Sequence, residues 1–152
     1  MGVHAAGGGQ RYAGDDAVGL AVAEVLRARG VDARPVHDAS ALVELAPAYD
    51  RVVVVDAVTG GGEAGQVLTL DPEAFAQAKP LSSHGLSVLD ALGVVRALYG
   101  DATAARVRVV GVTIAAPVAR AEGMSDAVTA AVEPAARAVT ALLEDCRCTS
   151  RP

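Results

Sequence analysis

Between Arg51 and Asp56 the chain passes through four consecutive valines, Val52 to Val55. β-Branched side chains pack best on a pleated surface, and an unbroken apolar run leaves no polar face to turn toward water. Such a run predicts a central strand covered on both sides, with Asp56 at its carboxyl end. Strands of that kind belong to sheets with helices above and below, so these six residues already predict an α/β fold. A second β-branched run at residues 106–114, interrupted by Gly111, supports the same architecture.

The remaining segments alternate between helix-like and strand-like patterns. Residues 1–6 should form a first strand by position, although Met-Gly-Val-His-Ala-Ala is a poor strand sequence. A glycine-rich loop, Gly7-Gly8-Gly9, leads to Gly14-Asp15-Asp16, and the helical spacing of Val18, Val22, Val25 and Leu26 predicts a helix starting near Asp15 and ending at Arg29-Gly30. Asp15 is placed to cap that helix, leaving Asp16 available. A short strand at 31–37 follows, then a turn through Asp38, Ala39 and Ser40 into a helix stopped by Pro47. Residues 66–70 read as an edge strand, and 71–73 as a helix start limited by Pro80. Leu86 to Tyr99 is an amphipathic helix closed by Gly100, and Ser125 caps a last helix to about Glu144 that Pro134 should kink or divide. The reading is a three-layer sandwich: a mostly parallel twisted sheet of about five strands between helices, with right-handed crossovers.

At 152 residues the chain suits one domain, residues 1–145, with a polar tail at 146–152. Cys146 and Cys148 sit in that tail, where Cys-x-Cys is half of a soft-metal site, and two reduced thiols are the simpler reading. A net charge of −5 and an aromatic content of 3% leave neither the basic footprint nor the stacking platform of a nucleic-acid binder. No apolar run reaches the ~20 residues of a membrane helix, and no signal peptide is visible, so a cytoplasmic protein without membrane contact is expected.

Sheets of this kind bind ligands outside the carboxyl ends of their strands. Asp16 follows the first strand and its glycine loop, Asp38 follows the second, Asp56 ends the central one, and His84 lies in the loop before the long helix. Two carboxylates and an imidazole can hold a divalent ion, and an O/O/N set suits Ni²⁺ or Zn²⁺ better than Ca²⁺. Taken singly, each residue has a plainer role, Asp56 as a turn cap and His84 as a surface or hydrogen-bonded side chain. The glycine loop lacks G-x-G-x-x-G in register with a helix start and lacks Gly-Lys-Ser/Thr, which argues against a nucleotide cradle.

Several stretches together resemble the hydrogenase maturation proteases, which trim the C-terminal extension of the nickel–iron hydrogenase large subunit. They are Gly7-x-Gly9 with Gly14-Asp15-Asp16-Ala-Val-Gly19-Leu, the valines ending in Asp56-Ala57, Ser83-His84-Gly85-Leu86, and Val110-Gly111-Val112. The resemblance spans about residues 2–145. It implies an endopeptidase of aspartic type whose Asp16, Asp56 and His84 reach the nickel held by the precursor, with Zn or Cd able to substitute in vitro. It also implies a precursor-recognition or catalytic role for Asp38, with the hydrogenase large-subunit precursor as partner; a monomer is expected. Three departures stand out, the weak first strand at residues 1–6 being one. Asp38 is followed by Ala39-Ser40 where the family has two glycines, so that loop must adopt a conformation open to residues with a Cβ. Gln10 stands where the family usually has Asn. No serine lies in a nucleophile elbow and there is no His-Glu-x-x-His helix, so serine, cysteine and zincin protease chemistry are not indicated. A docking or chaperone-like module of the same fold, binding a metalloprotein precursor without cutting it, is the alternative.

Overall fold

A computed structural model describes residues 3–7, 17–36, 39–58, 63–71, 88–115 and 123–149, with backbone alone at 3–7 and 146–149. Five strands, β1 (Val3–Gly7), β2 (Ala33–Pro35), β3 (Arg51–Val58), β4 (Val67–Leu70) and β5 (Val107–Thr113), form one sheet in the order β2-β1-β3-β5-β4. All neighbours are parallel except β4, which runs antiparallel along β5 at the edge. The helices are α1 (Val18–Ala28), α2 (Leu42–Ala48), α3 (Val88–Tyr99), the single turn α4 (Asp101–Ala104) and α5 (Asp126–Thr149).

The alternation of β3 side chains divides the core into two layers. Val53, Val55 and Ala57 pack with Val18, Val22 and Leu26 of α1 and with Ala135, Val139 and Leu143 of α5. Val52, Val54 and Val58 pack with Leu42 and Leu45 of α2 and Leu92 and Val95 of α3 on the other face. Each fully buried Val or Leu contributes about 1.5–3 kcal/mol, which is why valines at both parities commit β3 to the middle of the sheet. β1 is also central despite its composition: it pairs with β2 on one side and β3 on the other, and two hydrogen-bonded neighbours outweigh weak intrinsic propensity.

Several boundaries differ from those read in the sequence. Asp15, expected to cap the first helix, lies outside the described residues, and the α-helical part of α1 begins at Val18, with Ala17 in 3-10 conformation before it. Its other end is as expected: Gly30 takes φ +81, its N–H donates to the Arg27 carbonyl, and the Val31 N–H donates to the Leu26 carbonyl, a Schellman closure. β2 is three residues long rather than seven. Pro47 lies inside α2 rather than stopping it, because the helix ends one residue later in an extended Tyr49. The Arg106 guanidinium, at 3.5 and 3.4 Å from the carbonyl oxygens of Ala46 and Tyr49, closes that end. Ala39–Ala41 forms a 3-10 turn, a right-handed backbone that tolerates a Cβ, as the loss of both glycines requires. β3 runs two residues past Asp56, and α4 has no counterpart in the sequence reading.

α5 is undivided at Pro134 and continues to Thr149 rather than ending near Glu144. The backbone of residues 146–149, read from sequence as part of a polar tail, thus continues the helix. The expected helix near residues 71–80 lies outside the described residues. Among the described residues no helix is long and apolar enough to cross a membrane.

Candidate functional site at the carboxyl edge of the sheet

The crossover from β1 through α1 to β2 packs on one face of the sheet, and the return through α2 to β3 packs on the other. The connection reverses direction between β1 and β3, which makes their carboxyl ends the topological switch point, the place where open α/β sheets open a crevice. β1 stops at Gly7, level with Val55. From Asp56 onward, the described ladder partners of β3 lie on the β5 side alone. Asp56 is therefore the first β3 residue beyond the end of β1, half-buried, on the α2/α3 face. Its Oδ1 accepts a hydrogen bond from the Ala57 N–H at 2.9 Å, which fixes one edge of the carboxylate against the strand.

Across the sheet, Asp56 stands in a row with Gly111 of β5 and Leu68 of β4. The next row outward pairs Val58 with Thr113. Thr113 is fully buried, and its hydroxyl donates to the Glu63 carbonyl at 2.6 Å and accepts from the Gln66 N–H at 2.8 Å. The Gly65 N–H adds a bond to the Thr113 carbonyl at 2.7 Å, so residues 63–66 are fastened to the end of β5. Neither Thr113 nor Gly65 was singled out by sequence reading. A Thr closing a valine-rich strand and a Gly after Glu-Ala were the available signals, and both are common without such a role. Thr113→Val is expected to lower unfolding free energy by about 1–3 kcal/mol in a denaturant titration, because it removes two hydrogen bonds to the backbone of residues 63 and 66.

Of the four residues predicted for the site, Asp56 alone is among those described. Asp16, Asp38 and His84 lie outside them; in the chain they stand one residue before Ala17, one before Ala39 and four before Val88. The described ends of β1, β2 and β3 all face one edge, as the constellation requires. Among the described residues no three His, Cys, Asp or Glu side chains are grouped to hold a metal. A groove of about 630 Å³ bordered by Thr69, Leu70, Arg96, Asp101, Val107 and Arg108 lies beside the amino end of β5, away from the switch point. Its two arginines and two aspartates, Asp71 and Asp101, are no part of this constellation.

The fold and chain agree with known proteins. The NiFe hydrogenase maturation protease HybD from Thermococcus kodakarensis is 26% identical over 94% of this chain and 99% of its own, with a TM-score of 0.71. The hydrogenase maturating endopeptidase HybD from E. coli superimposes with a TM-score of 0.77 at 24% identity, covering 95% of this chain and 93% of that one. The NiFe hydrogenase maturation protease HycI from Thermococcus kodakarensis KOD1 gives 0.67 at 24% identity over 96% and 92%. No curated protein sequence matches significantly. The HycI family model, described as hydrogenase maturation protease, matches residues 37–142, more than two thirds of the chain and inclusive of β3 and β5, and the chain accordingly belongs to the hydrogenase maturation protease family.

Proposed function

We propose that this protein is an endopeptidase that removes the C-terminal extension of a nickel-loaded nickel–iron hydrogenase large-subunit precursor, and that Asp16, Asp56 and His84 recognise the nickel the precursor carries. The observation that carries the reading is the position of Asp56: an acid just beyond the end of β1, at the switch point, in a chain that belongs to this family. Asp16 and Asp56 follow the two strands that flank that crevice, and His84 precedes the helix that packs on the same face as Asp56.

In this reading the metal is part of the substrate. Nickel bound by precursor thiolates keeps coordination positions open, and two carboxylates and an imidazole complete its shell only when the precursor is correctly loaded. Ligation then brings the scissile bond to the site, where the substrate's metal ion polarises the carbonyl or activates a water, with Asp16 or Asp38 as the base. The same three ligands should hold Zn²⁺ or Cd²⁺ weakly when no precursor is present.

The deciding experiment incubates the purified protein with nickel-loaded and nickel-free precursor and follows the extension on a gel. Cleavage of the loaded form alone supports the reading. Tight binding without cleavage assigns a docking module instead, and neither binding nor cleavage removes the function. Asp38, as a precursor contact, has a separate expected signature: Asp38→Asn impairs cleavage and leaves Cd²⁺ affinity, read by calorimetry, at the wild-type value. Loss of both together would move Asp38 into the metal shell.

A further inference from the structure

The burial pattern along β3 contains an inversion. Val58, the last residue of the strand, is wholly buried at 0% exposure, whereas Asp56, one pleat further inside on the same face, is half-buried. Strand ends ordinarily become more exposed outward, so something covers Val58 that does not cover Asp56. The row beneath Val58 supplies an explanation. Gly111 stands opposite Asp56 and between it and Leu68, and a Cβ built there would lie 3.3 and 3.4 Å from the two methyl carbons of Val58 and 3.7 Å from a methyl of Leu70. Val58 thus leans diagonally across onto β5, beside the volume that a side chain at 111 would occupy, and belongs to the core layer under α2 and α3.

No positive φ requires glycine at 111, which lies in regular strand between Val110 and Val112. A glycine inside a strand is destabilising relative to alanine, so its presence in a β-branched run needs a reason in packing. The seat for Val58 is that reason.

We propose that Gly111 is a positioning residue for the candidate site: by leaving its row empty it seats Val58 over β5 and keeps that side chain from closing over the Asp56 carboxylate. This rests on the reading of Asp56 as a ligand of the substrate's nickel. A methyl at 111 is tighter against Val58 than nine in ten natural contacts, so Val58 must give by a few tenths of an ångström. Under this proposal Val58 then turns back over its own strand, toward Asp56.

The test uses the full chain as Gly111→Ala, Val58→Ala and the double variant, with Cd²⁺ as the probe by calorimetry, precursor cleavage resolved into kcat and KM, and methyl NMR of Val58 in metal-free protein. Gly111→Ala is expected to weaken Cd²⁺ binding by about 10-fold, the scale on which supporting groups act on ligands, with cleavage falling in parallel. The Val58 methyl resonances should move. The double variant should match Val58→Ala in affinity, because once the methyls are gone a Cβ at 111 has nothing to displace. A merely structural glycine would lower the melting temperature and leave the affinity of the folded protein unchanged. That result, or a double variant that falls below Val58→Ala, overturns the proposal. If Gly111→Ala does not fold, the comparison of the double variant with Val58→Ala still decides it. If the wild-type chain binds no Cd²⁺ and cleaves nothing, the nickel reading fails on its own. The NMR arm then tests the packing claim separately: Val58 methyls displaced toward Asp56 uphold it, and unmoved methyls refute it.

Discussion

Asp56→Asn is expected to abolish nickel-dependent processing in a protein that folds normally. The amide has the shape of the carboxylate, and its carbonyl oxygen can accept the same bond from the Ala57 N–H, so the strand end is preserved. What disappears is the negative charge, and with it, in the proposed reading, one anionic ligand of a shell with three protein members. Outer-sphere substitutions alone cost about 10–100-fold in metal affinity, so loss of a ligand should reduce cleavage of nickel-loaded precursor by at least about 100-fold. Because Asp56 is half-buried and Asn is isosteric, the melting temperature should change little. Asp16→Asn has the same expected signature. Thermal melts beside a precursor-cleavage gel decide the matter. An Asp56→Asn protein that cleaves at the wild-type rate removes Asp56 from the shell, and one that unfolds assigns it a structural role.

The parts of the fold visible in the sequence are those whose cause is local. Four valines at both parities can be satisfied only between two layers, and the helix stripe from Val18 to Leu26 with Gly30 beyond it carries its own start, face and stop. The parts that were not visible depend on partners distant in sequence. β1 is weak as a peptide and central in the sheet because β2 and β3 arrive from about 30 and 50 residues away to pair with it. The hydroxyl of Thr113 finds its partners about 50 residues back, at Glu63 and Gln66, and no local pattern announces it. Proline usually stops a helix, yet Pro47, in the last turn of a short one, removes one donor and ends nothing that was not already ending. α4 is four residues long, barely one turn, so no apolar pattern can repeat within it.

The candidate site divides the same way. Parallel strands alone dictate that residues following β1, β2 and β3 share an edge, so Asp16, Asp38 and Asp56 could be grouped from sequence. That Asp56 would sit just past the end of β1, where the crossovers part to opposite faces, required the register Gly7 to Val55, which no composition argument supplies. Gly111 was legible as an interruption, but the neighbour that makes it an interruption with a purpose, Val58, is 53 positions away and emerges from the strand pairing.

Gly65→Ala is the substitution expected to destabilise the protein most among the described glycines. Gly65 takes φ +90, and a Cβ there would lie 2.5 Å from the carbonyl oxygen of Ala127 and 3.0 Å from its carbonyl carbon, in the first turn of α5. Both contacts are to backbone, so no side chain can swing aside. Left-handed backbone at a residue with a Cβ costs about 1–2 kcal/mol, and overpacking typically about 1–3 kcal/mol. Together they predict a loss of about 2–5 kcal/mol, or roughly 5–15 °C in melting temperature for a chain of this size. Gly30 provides the internal control, since it has φ +81 but nothing within 4 Å of its Cβ position; Gly30→Ala should lose only the backbone share. The two melts separate strain from collision. Equal shifts would mean that the approach of α5 to residue 65 yields without cost. A much larger shift for Gly65→Ala would show that the 63–66 turn is gripped between α5 and the Thr113 carbonyl, and that this grip holds the outer row beside Val58 and Asp56 in place.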